Sequence, residues 1–272
     1  MSKRLIVLCD GTWNKAENLD RRKRKPTNVM KMVRAIQPVA SDGTVQVTYF
    51  SRGAYSVRSL AGLIQHLGLL PKAHDFFVPE AYALYRQRPP ADADQTVWQQ
   101  QVDAFRAAHE ARTVNIDFIG VWDTVGALGL PLNWFTLFNR RRYEFHDARL
   151  SPIIRHAYHA LAIDEQRRTF KPTLWENPAP DQILEQRWFA GVHTNVGGGY
   201  EHDGLANCTL HWIKEKAVAL GLGVDEQFLK FYRPWFGDEL RDSMTWFYRL
   251  LGRRLRPVGV GQHTHEVVDE SV

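Results

Sequence analysis

Short apolar runs alternate with amphipathic segments along roughly the first 220 residues of the chain. The first of these runs, residues 5–9, is apolar throughout, which is typical of a strand that a parallel sheet buries on both faces. The segments between them carry apolar residues at helical spacing, which predicts helices covering the sheet. The predicted strands are 5–9, 45–50, 114–122 and 186–192, and the predicted helices are 28–36, 55–67, 76–87, 95–109, 152–163 and 205–220, with Thr27 or Asn28 capping the first helix and Asp203 the last.

This alternation predicts an α/β fold with a mostly parallel sheet and helices on both faces. The alternation stops near residue 222, after which the chain is rich in Phe, Tyr and Trp. We therefore predict an α/β domain over residues 1–222 and a helical, aromatic-rich extension over residues 223–272 that packs on it. The last dozen residues are polar, so we expect the end of the extension to fray.

An aromatic stripe in the extension has two interpretations. The segment S-M-T-W-F-Y-R-L-L-G-R-R-L-R places Trp246, Phe247 and Leu250 beside arginines. Aromatic residues at helical spacing usually pack in a core, so we favour a terminal helix packed on the domain. The alternative is a surface that touches lipid.

The composition suits one large domain or a domain with appendages, because 44% of the 272 residues are hydrophobic. The two cysteines, Cys9 and Cys208, are far apart, which argues against a disulfide framework and for a reduced compartment. The apolar run before Asp10 is too short for a signal peptide, and no stretch is long and apolar enough to span a bilayer. We expect a cytoplasmic protein and leave delivery out of the cell open.

Much of the formal charge of +5 comes from three basic clusters, R-R-K-R-K at 21–25, R-R-R at 140–142 and G-R-R-L-R at 252–256. We favour solvated loops and helix faces for these residues. The alternative is attraction to an anionic membrane or to nucleic acid. Nucleic acid is not expected as a partner, since no aromatic stacking signature or zinc spacing accompanies the clusters.

Residues that can do chemistry follow each predicted strand, at the edge of an α/β sheet where functional sites form. A serine, an aspartate and a histidine appear there in the chain order of an α/β-hydrolase triad. The residues are Asp10, Gly11 and Thr12 after the first strand, Ser51 and Arg52 after the second, Asp123 after the third and His193 after the fourth.

Ser51 is the candidate nucleophile, because T-Y-F-S-R-G-A-Y-S places it at an abrupt strand-to-helix turn like a nucleophile elbow. His193 would take the hydroxyl proton near neutral pH, and Asp123 would hold the imidazole in the required tautomer. Simpler explanations are a helix N-cap for Ser51, a turn cap for Asp123 and a hydrogen-bonded loop histidine for His193. These explanations are independent of one another, whereas one triad accounts for all three residues, so we favour the triad.

The predicted oxyanion pocket uses the backbone N–H of Arg52 and the Gly11–Thr12 turn. Asp10 would shape this pocket, or would simply hold its own turn through a side-chain hydrogen bond. L-C-D-G-T resembles the end of the D-x-D-G-T phosphatase signature, but Leu8 occupies the position of the nucleophilic aspartate. The V-G-G-G-Y loop is not followed by Lys-Ser or Lys-Thr, and no metal-ligand spacing such as H-E-x-x-H is present, so no metal or cofactor is expected.

Five blocks of sequence together resemble the catalytic-domain family of type VI secretion phospholipase effectors, long catalogued as a bacterial domain of unknown function. The blocks are L-C-D-G-T-W-N, S-R-G-A-Y-S-V-R-S-L-A-G-L-I, I-G-V-W-D-T-V-G-A-L-G, H-A-L-A-I-D-E-Q-R-R-T-F-K-P and W-F-A-G-V-H-T-N-V-G-G-G-Y, and they span about residues 5–212. The resemblance implies an α/β-hydrolase fold, a triad of Ser51, Asp123 and His193, and hydrolysis of lipid esters, mainly of glycerophospholipids. An immunity or delivery partner is not indicated by the sequence.

The chain departs from this family just before the candidate nucleophile. The family usually has G-F-S-R-G, preceded by a long segment, whereas here V-T-Y-F runs directly into S-R-G-A-Y. One strand and its crossover are therefore expected to be missing, and Tyr49 should crowd the closest approach of strand and helix. The alternative hypothesis is a catalytically impaired, α/β-hydrolase-like binding protein. His159 lies inside a predicted helix, so we expect it to be structural support.

Overall fold

The computed structural model describes residues 3–10, 17–52, 54–90, 92–125, 149–259, 261 and 263–272. Side chains are described for these residues except 10, 17–19, 50–52 and 54–56. The strands are β1 (Lys3–Asp10), β2 (Glu17–Asp20), β3 (Lys23–Pro26), β4 (Val45–Arg52), β5 (Ile116–Trp122), β6 (Ile154–Ala162), β7 (Ile183–Phe189) and β8 (Glu266–Val268). The α-helices are α1 (Asn28–Ala35), α2 (Ala54–Leu67), α3 (Val78–Arg86), α4 (Thr96–Ala108), α5 (His193–Gly197), α6 (Gly204–Ala219), α7 (Glu226–Leu229) and α8 (Trp246–Leu250), and a 3₁₀-helix spans Lys72–Phe77.

The described strands form two parallel sheets and one antiparallel hairpin. Strand β1 pairs with β4 in a two-stranded parallel sheet, and β5, β6, β7 and β8 lie side by side, all parallel, in a four-stranded sheet. Strands β2 and β3 form the hairpin. The expected α/β fold with parallel pairing is confirmed, but the described strands do not join into the single sheet that the sequence pattern predicts.

Helices cover both faces of the four-stranded sheet. On one face, Val57 and Ile64 of α2 pack against a cluster that includes Ile119 and Ala157. On the opposite face, α6 packs against the aromatic residues of the strands and is buried along most of its length. Burial on both faces is continuous along the second half of β6, whereas β5 and β7 alternate between buried and partly buried residues.

Residues 152–163 form a strand where the sequence pattern predicts a helix. Strand β6 lies between β5 and β7, and six consecutive residues from Ala157 to Ala162 are buried. Three of these are alanines, which are good helix formers, and burial on both faces removes the alternation that would identify a strand. The prediction failed because tertiary packing overrode local propensity. It also missed the central strand of the sheet.

The C-terminal part differs from expectation at two places. Helix α8 has no buried residue and Trp246 is 75% exposed, so the favoured interpretation of a core-packed stripe is wrong for this helix. The end that is expected to fray instead forms β8, whose Glu266 accepts a hydrogen bond from Trp188 Nε1 at 2.7 Å. The division at residue 222 itself stays a prediction.

None of the helices within the described ranges is long and apolar enough to cross a membrane.

Removal of residues 266–272 is expected to lower the urea midpoint of unfolding. The deletion removes the pairing of β8 with β7, the hydrogen bond between Trp188 and Glu266, and the ion pair between Arg187 and Asp269. Each lost hydrogen bond is worth about 1 kcal/mol, so the free energy of unfolding should fall by roughly 2 kcal/mol or more. Removal of Val272 alone is the control. An unchanged midpoint after the longer deletion would support a frayed end.

Candidate active site

Asp123 is fixed at the carboxyl end of β5 by its neighbour β6. Its backbone φ of 38° lies in the left-handed region, and the side chain is fully buried. The Asp123 N–H donates to the carbonyl of Ala160 at 2.7 Å, and Oδ1 accepts from the N–H of Ala162 at 3.0 Å. The register of β5 against β6 therefore sets where the carboxylate points.

His193 is the first residue of α5 and contacts Asp123 directly. The distance from its Nδ1 to Asp123 Oδ2 is 2.7 Å. Because an ionised carboxylate can only accept, Nδ1 carries a proton, so in the neutral imidazole the lone pair is on Nε2. The His193 side chain is 24% exposed while that of Asp123 is not exposed at all, so a partly exposed imidazole is hydrogen-bonded to a buried carboxylate.

Arg256 is a second partner of Asp123 that the sequence pattern did not predict. Its Nη1 donates to Asp123 Oδ1, and its Nη2 donates to Oδ2 at 3.0 Å. The residue belongs to the basic cluster at 252–256, for which we favoured solvated positions, yet Arg256 is buried. That expectation is wrong for Arg256, because its guanidinium pairs with a buried carboxylate, whereas Arg253 and Arg254 are exposed.

These contacts decide the ionisation of Asp123. Burial alone would raise the pKa of the carboxyl group. The charge of Arg256 and the hydrogen bond from His193 outweigh burial and hold the pKa of Asp123 well below its usual range. Asp123 is therefore an anion throughout the physiological range, which is the state that a histidine-orienting carboxylate requires.

His159 supports the loop that carries Asp123. It lies in β6, fully buried, and its Nε2 accepts from the N–H of Thr124 at 3.0 Å while Nδ1 lies 3.2 Å from Gln186 Oε1. Burial first, and then the charge of Arg58, lowers the pKa of His159 to about 3. The side chain is thus a neutral hydrogen-bonding strut, as expected from the sequence, but it projects from a strand rather than from a helix.

A buried glutamate, Glu165, holds the first residue of α5, which carries the candidate base. Glu165 Oε2 accepts from the backbone N–H of His193 at 3.2 Å, which fixes the start of α5. Arg167 donates to both oxygens of this carboxylate, and Ser243 Oγ donates to Oε1 at 2.8 Å. The side chain of Phe170 lies edge-on to the His193 ring, with centroids 5.4 Å apart. Glu165, Arg167 and Phe170 fall in one of the matching sequence blocks, but nothing in that block gives their role.

The described backbone around Ser51 has the strand and the following helix that the sequence predicts, while Gly53 between them lies outside the described residues. Ser51 lies near the end of β4, opposite Cys9 of β1, and α2 begins at Ala54. Tyr49 is 59% exposed, so the expected crowding between strand and helix is not observed. The side chains of Asp10, Ser51 and Arg52, and the whole of Gly11 and Thr12, lie outside the described residues. The structure brings Asp123 and His193 together. That the Ser51 hydroxyl lies within hydrogen-bond distance of His193 stays a prediction.

No group of three or more His, Cys, Asp or Glu side chains in the described part of the chain is arranged to hold a metal ion.

A family model and several known proteins match the chain. The family model, "T6SS, Phospholipase effector Tle1-like, catalytic domain", matches residues 3–50 and 50–216. Its two matched segments meet at residue 50, the position at which the sequence pattern predicts a missing segment. The uncharacterized protein YEL023C of Saccharomyces cerevisiae is 30% identical over 128 residues, which is 45% of this chain and 17% of that protein.

Two solved structures are also similar, each at 14% identity. A crystal structure of an uncharacterized protein from Pseudomonas aeruginosa matches 86% of this chain and 49% of its own, with a TM-score of 0.47. The structure of the Tle1 effector bound to the VgrG spike of the type 6 secretion system matches 74% of this chain and 52% of its own, with a TM-score of 0.39. The chain spans about half the length of these two structures and less of the yeast protein.

The His159→Gln variant is expected to change how stability depends on pH. Above pH of about 6.5, His159 is neutral in both the folded and the unfolded chain. As the pH falls from about 6.5 towards 3, only the unfolded chain binds the proton, so the wild type loses up to about 1.4 kcal/mol of unfolding free energy per pH unit from this residue. The glutamine of the variant does not titrate and lacks this contribution, and its amide oxygen can still accept from the N–H of Thr124.

Urea unfolding at several pH values between 7 and 5 gives the unfolding free energy of wild type and variant, and we compare how steeply it changes with pH. His156→Gln is the matched control, since His156 lies on the same strand but is only partly buried. Equal slopes for wild type and His159→Gln would contradict a neutral, buried His159.

Proposed function

Because the chain belongs to the T6SS phospholipase effector Tle1-like catalytic-domain family, we propose that it is a serine hydrolase of α/β-hydrolase type that cleaves lipid carboxylic esters. Family membership supports a lipase or phospholipase type of hydrolase. The observation that carries the proposal for this chain is the 2.7 Å contact between His193 Nδ1 and the buried Asp123 carboxylate. A solvent-accessible imidazole held in this way on a buried anion is suited to general-base catalysis.

The proposed reaction is acyl transfer through a covalent intermediate. Ser51 Oγ attacks the ester carbonyl carbon while His193 Nε2 takes the hydroxyl proton, and Asp123 stabilises the resulting imidazolium. The tetrahedral intermediate collapses to the acyl-enzyme, and His193 gives its proton to the departing alcohol. Water then attacks the acyl carbon with His193 again as base, which releases the carboxylic acid and restores Ser51.

Backbone donors would stabilise the oxyanion in both steps. The proposed donors are the N–H of Arg52, directly after the nucleophile, and the Gly11–Thr12 turn beside Asp10. The pairing of Cys9 with Ser51 and of Asp10 with Arg52 supports this pocket, because it aligns the ends of β1 and β4 in one register.

The surface next to His193 supports a lipid substrate and peripheral contact with an anionic membrane. Phe170, which contacts His193, also packs edge-on against Tyr248 of α8 with centroids 5.9 Å apart. On the same short helix, Trp246 is 75% and Leu250 is 76% exposed. Exposed aromatic and apolar residues flanked by arginines are typical of helices that lie in a lipid interface. The family description also supports a role as an effector that a type VI secretion system delivers.

A non-catalytic binding protein is the second candidate. The observations that favour it are the break in the family match at residue 50 and the absence, among the described strands, of one that joins the β1–β4 pair to the four-stranded sheet. If the elbow is displaced by this loss, Ser51 cannot transfer its proton to His193. The chain would then bind a lipid ester without cleaving it.

Ser51→Ala is expected to lower kcat for a soluble short-chain ester by about a thousandfold or more, because the acyl-enzyme can no longer form. Ser59→Ala, in the middle of α2, is the matched control and should retain wild-type kcat. Circular dichroism checks that both variants fold. Absence of hydrolysis by the wild type, for short-chain esters and phospholipids alike, would favour the binding protein.

The double variant Trp246→Ala, Phe247→Ala is expected to bind membranes about tenfold or more weakly, since burial of each ring is worth about 1.5 kcal/mol. Co-sedimentation with vesicles containing phosphatidylglycerol measures the binding, and rising salt should weaken it. Phe76→Ala is the control, because Phe76 is also exposed but lies in the 3₁₀-helix between α2 and α3. Lack of sedimentation by the wild type, or insensitivity to salt, would rule out contact with an anionic membrane.

A further inference from the structure

Arg256 joins three separate parts of the chain at the candidate active site. Its Nη1 donates to Asp123 Oδ1 and to the carbonyl of Ala162, the latter at 2.7 Å. Its Nη2 donates to Asp123 Oδ2 at 3.0 Å and to the carbonyl of Phe170 at 2.6 Å. One buried guanidinium thus holds the residue after β5, the last residue of β6 and the loop that contacts His193. The planar, two-pronged geometry of arginine is suited to such a site, whereas lysine presents a single charged nitrogen.

We propose that Arg256 is a positioning residue for the reaction: it fixes the Asp123 carboxylate, and through it the imidazole of His193, in the orientation that proton transfer requires. This inference rests on the proposed function. Arg256 does not face the substrate in this account, because its side chain is buried and both Nη atoms donate to Asp123 and to two backbone carbonyls.

The first step of the argument is the geometry of the carboxylate. Asp123 Oδ1 accepts from Ala162 N and Arg256, and Oδ2 accepts from His193 and Arg256. Without the guanidinium, each oxygen would keep a single partner, and a buried anion would lack a compensating cation. Removal of one partner from a buried ion pair is strongly destabilising, so the carboxylate would remain beside His193 but would no longer be held in one orientation.

The second step is electrostatic. The positive charge of Arg256 offsets the negative charge that His193 faces, so the imidazolium formed during the reaction is stabilised less than it would be by an isolated carboxylate. Removal of Arg256 should therefore favour protonated His193 and move the acid limb of the pH–rate profile to higher pH. Among the described residues, the other charged or titratable groups near the pair include neutral His159 from β6, Arg58 from α2 and Tyr248 from α8. The ion pair of Glu165 and Arg167, in the segment after β6, contacts the first residue of α5.

The third step is the origin of Arg256 in the chain. The family model ends its match at residue 216, so Arg256 lies outside the matched region. Ser243, which donates to Glu165, also lies outside it. The segment after residue 216 therefore completes the surroundings of the candidate base, and a chain cut before Arg256 would retain Asp123 and His193 but lose their cation.

The test compares Arg256→Met, Arg256→Lys and the matched control Arg254→Met, which changes an exposed arginine of the same cluster. The kcat/KM for a soluble short-chain ester is measured from pH 5 to pH 9. For Arg256→Met we expect a loss of at least about tenfold at pH 7 and an acid limb displaced upward by about one pH unit. Arg256→Lys should lose less kcat/KM than Arg256→Met and should show a smaller displacement of the acid limb. Arg254→Met should match the wild type in both quantities.

A second readout does not depend on activity. In the Ser51→Ala background, the far-downfield proton NMR signal of the His193 Nδ1–H hydrogen bond should be lost or shifted when Arg256 is replaced by Met, and should persist with Arg254→Met. A wild type without ester hydrolysis would contradict the proposed function, while this signal would still report whether Arg256 positions the pair.

The inference is overturned if Arg256→Met folds, as judged by circular dichroism, and keeps both the wild-type pH profile and the NMR signal. If Arg256→Met does not fold, the pH profile and the NMR signal of Arg256→Lys test the inference instead. A lysine variant that folds and behaves like the wild type in both readouts would also overturn the inference.

Discussion

A buried carboxylate needs compensating charge and hydrogen bonds, and Asp123 receives both from separate parts of the fold. Arg256 supplies the cation, His193 supplies a ring N–H, and Ala162 supplies a backbone N–H. The donors come from β6, from α5 and from the segment between α8 and β8, so the carboxylate stays ionised only while these parts keep their positions. The same contacts that stabilise the anion therefore also fix the candidate base, and local stability and proposed chemistry depend on one set of interactions.

Strand β6, one of the two inner strands of the four-stranded sheet, makes this convergence possible. It pairs in parallel with both β5 and β7, with Trp122 opposite Ala160 and Ala162 opposite Phe189. This register brings the carboxyl ends of the three strands to one edge of the sheet, where Asp123 and His193 meet across the end of β6. The small alanines of β6 let helices approach both faces of the sheet, and the buried His159 on the same strand anchors the loop after Asp123.

The sequence predicts those parts of the fold that depend on local patterns. The apolar run at 5–9 identified β1, and the β-branched and aromatic residues at 45–50, 114–122 and 186–192 identified β4, β5 and β7. Thr27 caps α1 with its hydroxyl 3.3 Å from Met30 N. Strand β6 could not be identified, because its alanine-rich sequence has helical propensity and no alternation. The role of Arg256 could not be predicted either, since it lies 133 positions from its partner Asp123, in a basic cluster of the kind that is usually exposed to solvent. Non-local partners of this kind are set by tertiary packing.

The central claim is that Ser51 is a nucleophile activated by the pair of His193 and Asp123. Peptide mapping by mass spectrometry after reaction with a fluorophosphonate tests it most directly, because this reagent bonds covalently only to serines that a neighbouring base activates. The account predicts one adduct per chain, located on Ser51 and absent when His193 is replaced by Ala. An unlabelled chain, or an adduct on a different serine, would contradict it.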